Sequence, residues 1–317
     1  MLSGCSSRFR SLQEPGSERN TPKGDGATRR LTYSPTVSVP LREVIAALDA
    51  RYDPALAESW DAVGLVCGDP DESVRRVLFA VDPTAAVVDD VLAAGAELLI
   101  THHPMFLSPV HGVPADDPKG RLVHRLIRGG VALFVAHTNA DRAPDSGVND
   151  ALAAVLGLRE TRPLEPTDGD PRAGLGRVGE LERSMTLREF AALAAAKLPP
   201  TAGGVRAAGD PDRLVRRVAV CGGSGGSLTG AAADAGADVF LTSDLKHHSV
   251  SENGESGGPA LCDVAHFATE WPWLPVAADV LHRDLSGRVE VAVSRRRTDP
   301  WTWHEGSHGV PAGQSAG

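Results

Sequence analysis

Apolar positions along the chain switch between a helical period and short continuous runs. Leu41, Val44, Ile45 and Leu48 recur at the spacing that sets one stripe of a helix against a core. Residues 76–81 form an apolar run closed by Asp82-Pro83, the pattern of a strand buried on both faces. A helix is predicted over 84–94, where Gly95 can supply a left-handed cap. Residues 98–100 read as a strand, 122–127 as a helix stopped by Gly129-Gly130, 131–135 as a strand and 148–156 as a helix ended by Gly157. Strands and helices alternating in this way predict an α/β lobe on a mostly parallel sheet.

The theme returns after a polar Pro/Gly/Asp stretch from Pro163 to Ala173, which reads as a linker. A helix is predicted over 185–197, with Thr186 as N-cap and Pro199-Pro200 as its stop. Residues 215–220 read as a strand entering a Gly-rich turn, 228–235 as a helix stopped by Gly236, and 239–241 and 261–264 as strands. A final helix and a closing strand over 289–293 complete the pattern. The expected organisation is an α/β chain with a first lobe over 38–160 and a second over 161–303. Residues 1–37 and 304–317 are polar and lack an apolar period, so they bury too little to offset ordering and are expected to be disordered.

Composition narrows the function classes. The 317 residues are 42% hydrophobic, enough for a core, but only 4% aromatic, so Ala, Val and Leu must fill it. A formal net charge of -9 argues against a general nucleic-acid or anionic-membrane binder, because phosphate contacts need clustered Lys and Arg. Cys5, Cys67, Cys221 and Cys262 form no C-x-x-C pair and read as reduced, mostly buried thiols of a cytoplasmic protein. No stretch approaches the roughly 20 apolar residues of a membrane span. Leu2-Ser3-Gly4-Cys5 looks superficially like a lipoprotein cleavage box, but only Met1 precedes it, too little for the apolar region of a secretory signal.

Three strand ends carry the ionisable residues. They run into Thr101-His102-His103-Pro104, into His137-Thr138-Asn139-Ala140-Asp141, and into His266-Phe267-Ala268-Thr269-Glu270. Ligands of α/β sheets gather outside the carboxyl ends of the strands. Imidazole and carboxylate together suit Zn, Mn, Fe, Co or Ni. Adjacent histidines on a regular strand point to opposite faces, but in the turn after it they can serve two ions side by side. His266 and Glu270, four apart, share a face if the segment is helical. A carboxylate can bridge two ions with its two oxygens, and an imidazole cannot. The expected arrangement therefore has Glu270 as bridge, His102 and Asp141 on one ion, and His103 and His266 on the other. Pro272, however, predicts a helix beginning near Trp271, with 266–270 in a looser turn.

Other candidates are more local. The turn Cys221-Gly222-Gly223-Ser224-Gly225-Gly226 either brings its amides to a phosphate or is simply a tight strand-to-helix turn; it completes neither G-x-G-x-x-G nor a Walker motif. Asp244, Lys246 and His248 follow another strand and are candidates for moving protons or holding phosphate, with a solvated loop as the alternative. Asp61, between Trp60 and a glycine turn, reads as a residue that fixes a loop. His124, His282, His304 and His308 read as surface or hydrogen-bonded core histidines.

Taken in order, these motifs resemble the Nif-three-like dinuclear metal proteins, also labelled GTP cyclohydrolase I type 2 homologues. The matching stretches are Ser59-Trp60-Asp61-Ala62-Val63-Gly64-Leu65, Ile100-Thr101-His102-His103-Pro104, His137-Thr138-Asn139-Ala140-Asp141, Gly147-Val148-Asn149-Asp150, Cys221-Gly222-Gly223-Ser224-Gly225 and Asp263-Val264-Ala265-His266-Phe267-Ala268-Thr269-Glu270. The resemblance implies that His102, His103, Asp141, His266 and Glu270 hold two divalent metal ions, with His137 just behind them. It also implies two interlocked α/β lobes and a ring-shaped homohexamer. Ala62, Ser243 and Ala265 depart from the family pattern, and none is a ligand. The interval from Asp141 to His266 is too short for the inserted domain of some relatives. The expected function is metal-dependent hydrolysis of a nucleotide or similar small molecule, with GTP suggested by the family label. The alternative is a metal-binding scaffold or regulator without turnover, which needs the same ligands.

Overall fold

The computed structural model describes residues 37–306 and, as backbone alone, the two-residue strand Arg29–Arg30. The expectations for the rest of 1–37, including the Cys5 box, and for 307–317 lie outside the described residues.

The first sheet has four parallel strands at its centre, in the spatial order Glu290–Val293, Arg76–Ala80, Leu98–Thr101 and Ala132–Val135. Gly64–Cys67 adds an antiparallel edge beside Ala132–Val135, and Arg29–Arg30 pairs antiparallel with Glu290–Val293, so pairing reaches into the segment expected to lack order. Helices on both faces bury every residue of Leu98–Thr101 and Ala132–Val135, which is why these strands read as unbroken apolar runs. Ala85–Ala94 and Pro118–Arg128 cover one face; Leu41–Asp49 and Trp273–Asp284 cover the other. Local signals set the ends: the Thr84 side chain accepts from the Val87 amide, and Gly95 at φ 60° closes the same helix.

The second sheet also has parallel strands at its centre, Leu214–Val220, Val239–Thr242 and Ala260–Val264. Its edges are antiparallel: Val205–Ala208 on one side, Arg177–Thr186 and then Arg159–Arg162 on the other. The sheets are thus mixed, parallel inside and antiparallel at the rims. Solvated rim strands alternate polar and apolar residues, so charge conceals them; the ten-residue Arg177–Thr186 is the clearest case. The expected linker at 163–173 is instead part of a hairpin, Glu165–Thr167 with Asp170–Leu175, turned at Gly169 with φ +97°.

The expected lobe boundaries also need correction. The Trp273–Asp284 helix and the Glu290–Val293 strand, assigned to the second lobe, complete the first. Trp273, Leu274, Val291 and Val293 are buried there in one core with Phe79, Leu98 and Phe134, and Glu290–Val293 pairs parallel with Arg76–Ala80. The Val148–Val155 helix joins the lobes, giving Val148 and Ala151 to the first core and Leu152 and Ala153 to the second. Among the described residues, no helix is long and apolar enough to cross a membrane.

Candidate metal centre

The turn after Leu98–Thr101 keeps following its neighbour: the His102 amide donates to the Ala80 carbonyl (3.2 Å) and the His103 amide to Val81 (2.9 Å). The two rings nonetheless lie on one side, 5.1 Å apart and tilted by 43°. Asp141 sits on the short helix Thr138–Arg142, and His266 and Glu270 on the helix His266–Glu270. That second helix replaces the looser turn expected from Pro272. The proline stands at the N-cap of the next helix, Trp273–Asp284, where no intrahelical partner awaits an N–H. Four-residue spacing then brings His266 Nε2 to 2.8 Å from Glu270 Oε1.

The remaining distances close a ring around one small volume. His103 Nε2 lies 3.2 Å from His266 Nε2 and 3.1 Å from Glu270 Oε2. His102 Nε2 lies 3.4 Å from Glu270 Oε1 and 3.7 Å from Asp141 Oδ1. Two ligands of one tetrahedral ion at bond lengths near 2.1 Å sit about 3.4 Å apart, so these separations suit shared cations. Each imidazole uses Nδ1 elsewhere: His102 donates to the Ala136 carbonyl (3.0 Å), His103 to Asp82 (2.7 Å) and His266 to Asp244 (2.6 Å). Committing Nδ1–H leaves a lone pair on Nε2 and fixes the ring, the usual support of a metal-binding histidine.

Burial makes the fit to a cation sharp. His102 Nε2, Asp141 Oδ1 and Glu270 Oε2 are buried without a hydrogen-bond partner, an arrangement that costs free energy unless something positive stands between them. Gly223 closes the cradle: a Cβ there would lie 2.5 Å from Glu270 Oε1 and 3.0 Å from His266 Nε2. The charge balance agrees. Burial alone would lower the pKa of His103, but the Glu270 charge and the Asp82 contact outweigh it and push it up to about 11. His266 rises to about 9 on the same balance. Burial would raise Glu270, but the surrounding imidazoles hold it well below the usual carboxylate range. The donor set is one that could hold a cation.

Some sequence expectations change role. His137, expected behind the ligands, offers a ring nitrogen within 4.8 Å of those of His102 and His103. Its Nδ1 is held by Asp61 Oδ2 (3.0 Å), which also accepts from the Thr138 amide and hydroxyl. Asp61 therefore fixes both a loop and a site histidine. Asp244 is committed to His266, while Lys246 and His248 are exposed and lie outside the cavity beside the centre. That cavity measures about 950 Å³, and His103, His137, His266, Asp82 and Asp244 line its metal side. Three amides of the glycine turn are taken within the protein: Gly222 donates to Asn149 Oδ1, Gly223 to Thr269 Oγ1 and Gly225 to Thr242 Oγ1, each at 2.9 Å. Gly222, Gly223 and Gly225 also serve close approach, since a Cβ at any of them would lie within 3 Å of a neighbouring atom. Sequence reasoning missed Asp82, read only as a strand end, and Asn149, which also donates to the Asp141 carbonyl (2.9 Å). Asp82 had a usable signal, an acidic residue at the carboxyl end of the strand beside the histidine strand.

A family model described as Duf34/NIF3 (NGG1p interacting factor 3) matches residues 39–300. The chain belongs to this family. A Streptomyces coelicolor member named GTP cyclohydrolase 1 type 2 homolog is 54% identical over 273 residues, 84% of this chain and 95% of its own. A Mycobacterium tuberculosis member of the same name is 38% identical over 371 residues, covering 84% of this chain and 97% of its own. That alignment exceeds the 317 residues of this chain, so the mycobacterial member holds residues without counterpart here. Among solved structures, a Staphylococcus aureus protein matches with TM-score 0.77 at 28% identity, covering 84% of this chain and 99% of its own. A Bacillus cereus protein related to NIF3 matches at the same TM-score and coverage with 24% identity, which supports the shared fold.

Proposed function

We propose that this Duf34/NIF3 member is a metal-dependent hydrolase acting on a nucleotide or related small molecule, with two divalent ions held by His102, His103, Asp141, His266 and Glu270. The observation that carries the reading is the set of three buried, unpartnered ligand atoms beside a cavity of nucleotide size. The name shared by the curated relatives puts GTP first among substrates to try. Divalent ions bound here would supply Lewis acidity, polarising a substrate oxygen and making water acidic near neutral pH. The chain's own residues do the rest. Asp82, Asp244 and the Ala136 carbonyl orient three imidazoles. His137, its Nδ1 fixed by Asp61, keeps Nε2 for accepting and returning a proton at the cavity wall. The protein is further proposed to be a cytoplasmic homohexamer, testable by light scattering; its described cysteines, Cys67, Cys221 and Cys262, are all free.

The test combines metal analysis of native protein with a turnover panel of GTP, other nucleotides and phosphoesters. Two ions per chain are expected. Glu270→Ala should lose metal and turnover together. His137→Asn should keep the metal and lose turnover by about 10²–10⁴-fold. Protein that retains both ions and turns over nothing would replace the hydrolase with a metal-binding scaffold.

A further inference from the structure

We infer that the C-terminal segment 298–304 is the recognition wall of the cavity, stacking a planar nitrogen heterocycle on Trp301 and Trp303 while the ligand's phosphate end faces Lys119 and Arg206 in the same cavity. This deepens the nucleotide reading above and rests on it for the ligand class alone. After the Glu290–Val293 strand the chain runs back along the cavity, where Thr298, Asp299, Pro300, Trp301, Trp303 and His304 form one side. Two anchors hold it. Arg296 makes a bidentate pair with Asp90, both bonds 2.6 Å. The Thr298 hydroxyl donates to Asp82, the carboxylate that also holds His103 Nδ1. The wall is therefore tied to the metal corner by a single carboxylate.

Its surface is unusual for a closed core and suited to a ligand. Trp301 and Trp303 line the cavity yet are 72% and 71% exposed. Indoles present broad π-faces, and a stacked base covers such a face whatever its identity. Asp299 is 8% exposed; Oδ1 accepts from the Trp301 amide (3.4 Å), and Oδ2 has no hydrogen-bond partner among the described residues. A buried carboxylate oxygen without a donor is costly, and the N–H edge of a heterocycle would supply one. Lys119, whose ammonium lies 5.9 Å from the Phe106 ring centre, and Arg206, paired with Asp263, line the same cavity, and a phosphate there would draw on Lys119 first and compete with Asp263 for Arg206. The family match ends at residue 300, and both tryptophans follow it.

The test is calorimetric binding of GMP, AMP and ribose 5-phosphate to the metal-loaded protein, with no turnover required. Both nucleotides should bind more tightly than ribose 5-phosphate. The double variant Trp301→Ala/Trp303→Ala should weaken nucleotide binding about tenfold or more and leave ribose 5-phosphate unchanged, and Trp→Phe at both positions should restore most of the loss. Asp299→Asn should weaken GMP, whose edge carries adjacent N–H donors, more than AMP. Equal nucleotide affinity in the double alanine variant overturns the inference. So does ribose 5-phosphate binding as tightly as the nucleotides, or a tryptophan loss that changes assembly mass and not affinity, which would assign the indoles to a subunit contact. Tryptophan-dependent nucleotide binding without hydrolysis of any panel member would sink the hydrolase reading and leave the wall standing.

Discussion

Gly223 shows how little room the centre allows. At φ +65° it holds a conformation that L side chains rarely adopt, and a Cβ would enter the space between Glu270 and His266. Gly223→Ala is expected to lower metal content by far more than it lowers the melting temperature; full metal occupancy by mass spectrometry would contradict the cradle. The outer carboxylates act through the rings they hold, so Asp82→Asn or Asp244→Asn belongs to the same experiment, with metal affinity falling about 10–100-fold. The pH response follows from the same residues. His103 and His266 have folded-state pKa values raised to about 11 and about 9, above the ordinary histidine value near 6.5. In metal-free protein their contribution to stability is thus fully present below about pH 6.5 and is lost as pH rises through 9 and then 11. Divalent ions compete with these protons, so added Zn²⁺ should raise the melting temperature more at pH 8.5 than at pH 6. Equal increments at the two values would argue against binding at these imidazoles.

At the scale of elements, the Val148–Val155 helix and the Arg177–Thr186 strand hold the site's two sides in register. Asn149, on the helix, bridges the Asp141 carbonyl and the Gly222 amide. Asp150, one residue on, pairs with Arg177 through two bonds of 2.5 and 2.9 Å. Arg177 is 2% exposed and also donates to the carbonyls of Gly174, Gly176 and Ala143. Removing it leaves Asp150 and three carbonyls without their donor. Arg177→Ala is therefore expected to destabilise by about 3–5 kcal/mol, measurable by urea denaturation; a loss under 1 kcal/mol would mean water replaces the guanidinium freely. Nothing in the local pattern marked Arg177 as buried, since an isolated arginine between glycine and valine reads as surface. Thr186, by contrast, was legible: with Glu189 it forms a reciprocal cap at the start of Leu187–Lys197.

The whole molecule is a closed loop of chain. It begins in the first sheet, builds the second, and returns to complete the first with Trp273–Asp284 and Glu290–Val293. The return passes through His266 and Glu270 on its way, so the candidate ligands and first-lobe core arrive together. Trp273 marks the junction, packing against the His102 ring at 5.5 Å and donating from Nε1 to the Tyr52 hydroxyl (3.2 Å). A fragment of residues 38–160, which the pattern alone would cut out as a lobe, lacks that helix and strand. It is expected to show no cooperative thermal unfolding by circular dichroism, and a sharp transition would refute the interlock.

Much of this was legible before any coordinates. Continuous apolar runs such as 98–100 and 131–135 identify strands buried on both faces, because only full burial removes every polar residue from a run. The same runs end in His102-His103 and in His137 to Asp141, and chain direction alone puts those ends on one edge of a parallel sheet. Pairing across long sequence distance is another matter. Local pattern records how a segment meets its immediate surroundings, whereas the placement of Glu290–Val293 beside Arg76–Ala80, the choice of Asp82 and Asp244 as partners for imidazoles, and the use of Gly223 for closeness are settled by which surfaces meet once the chain has folded.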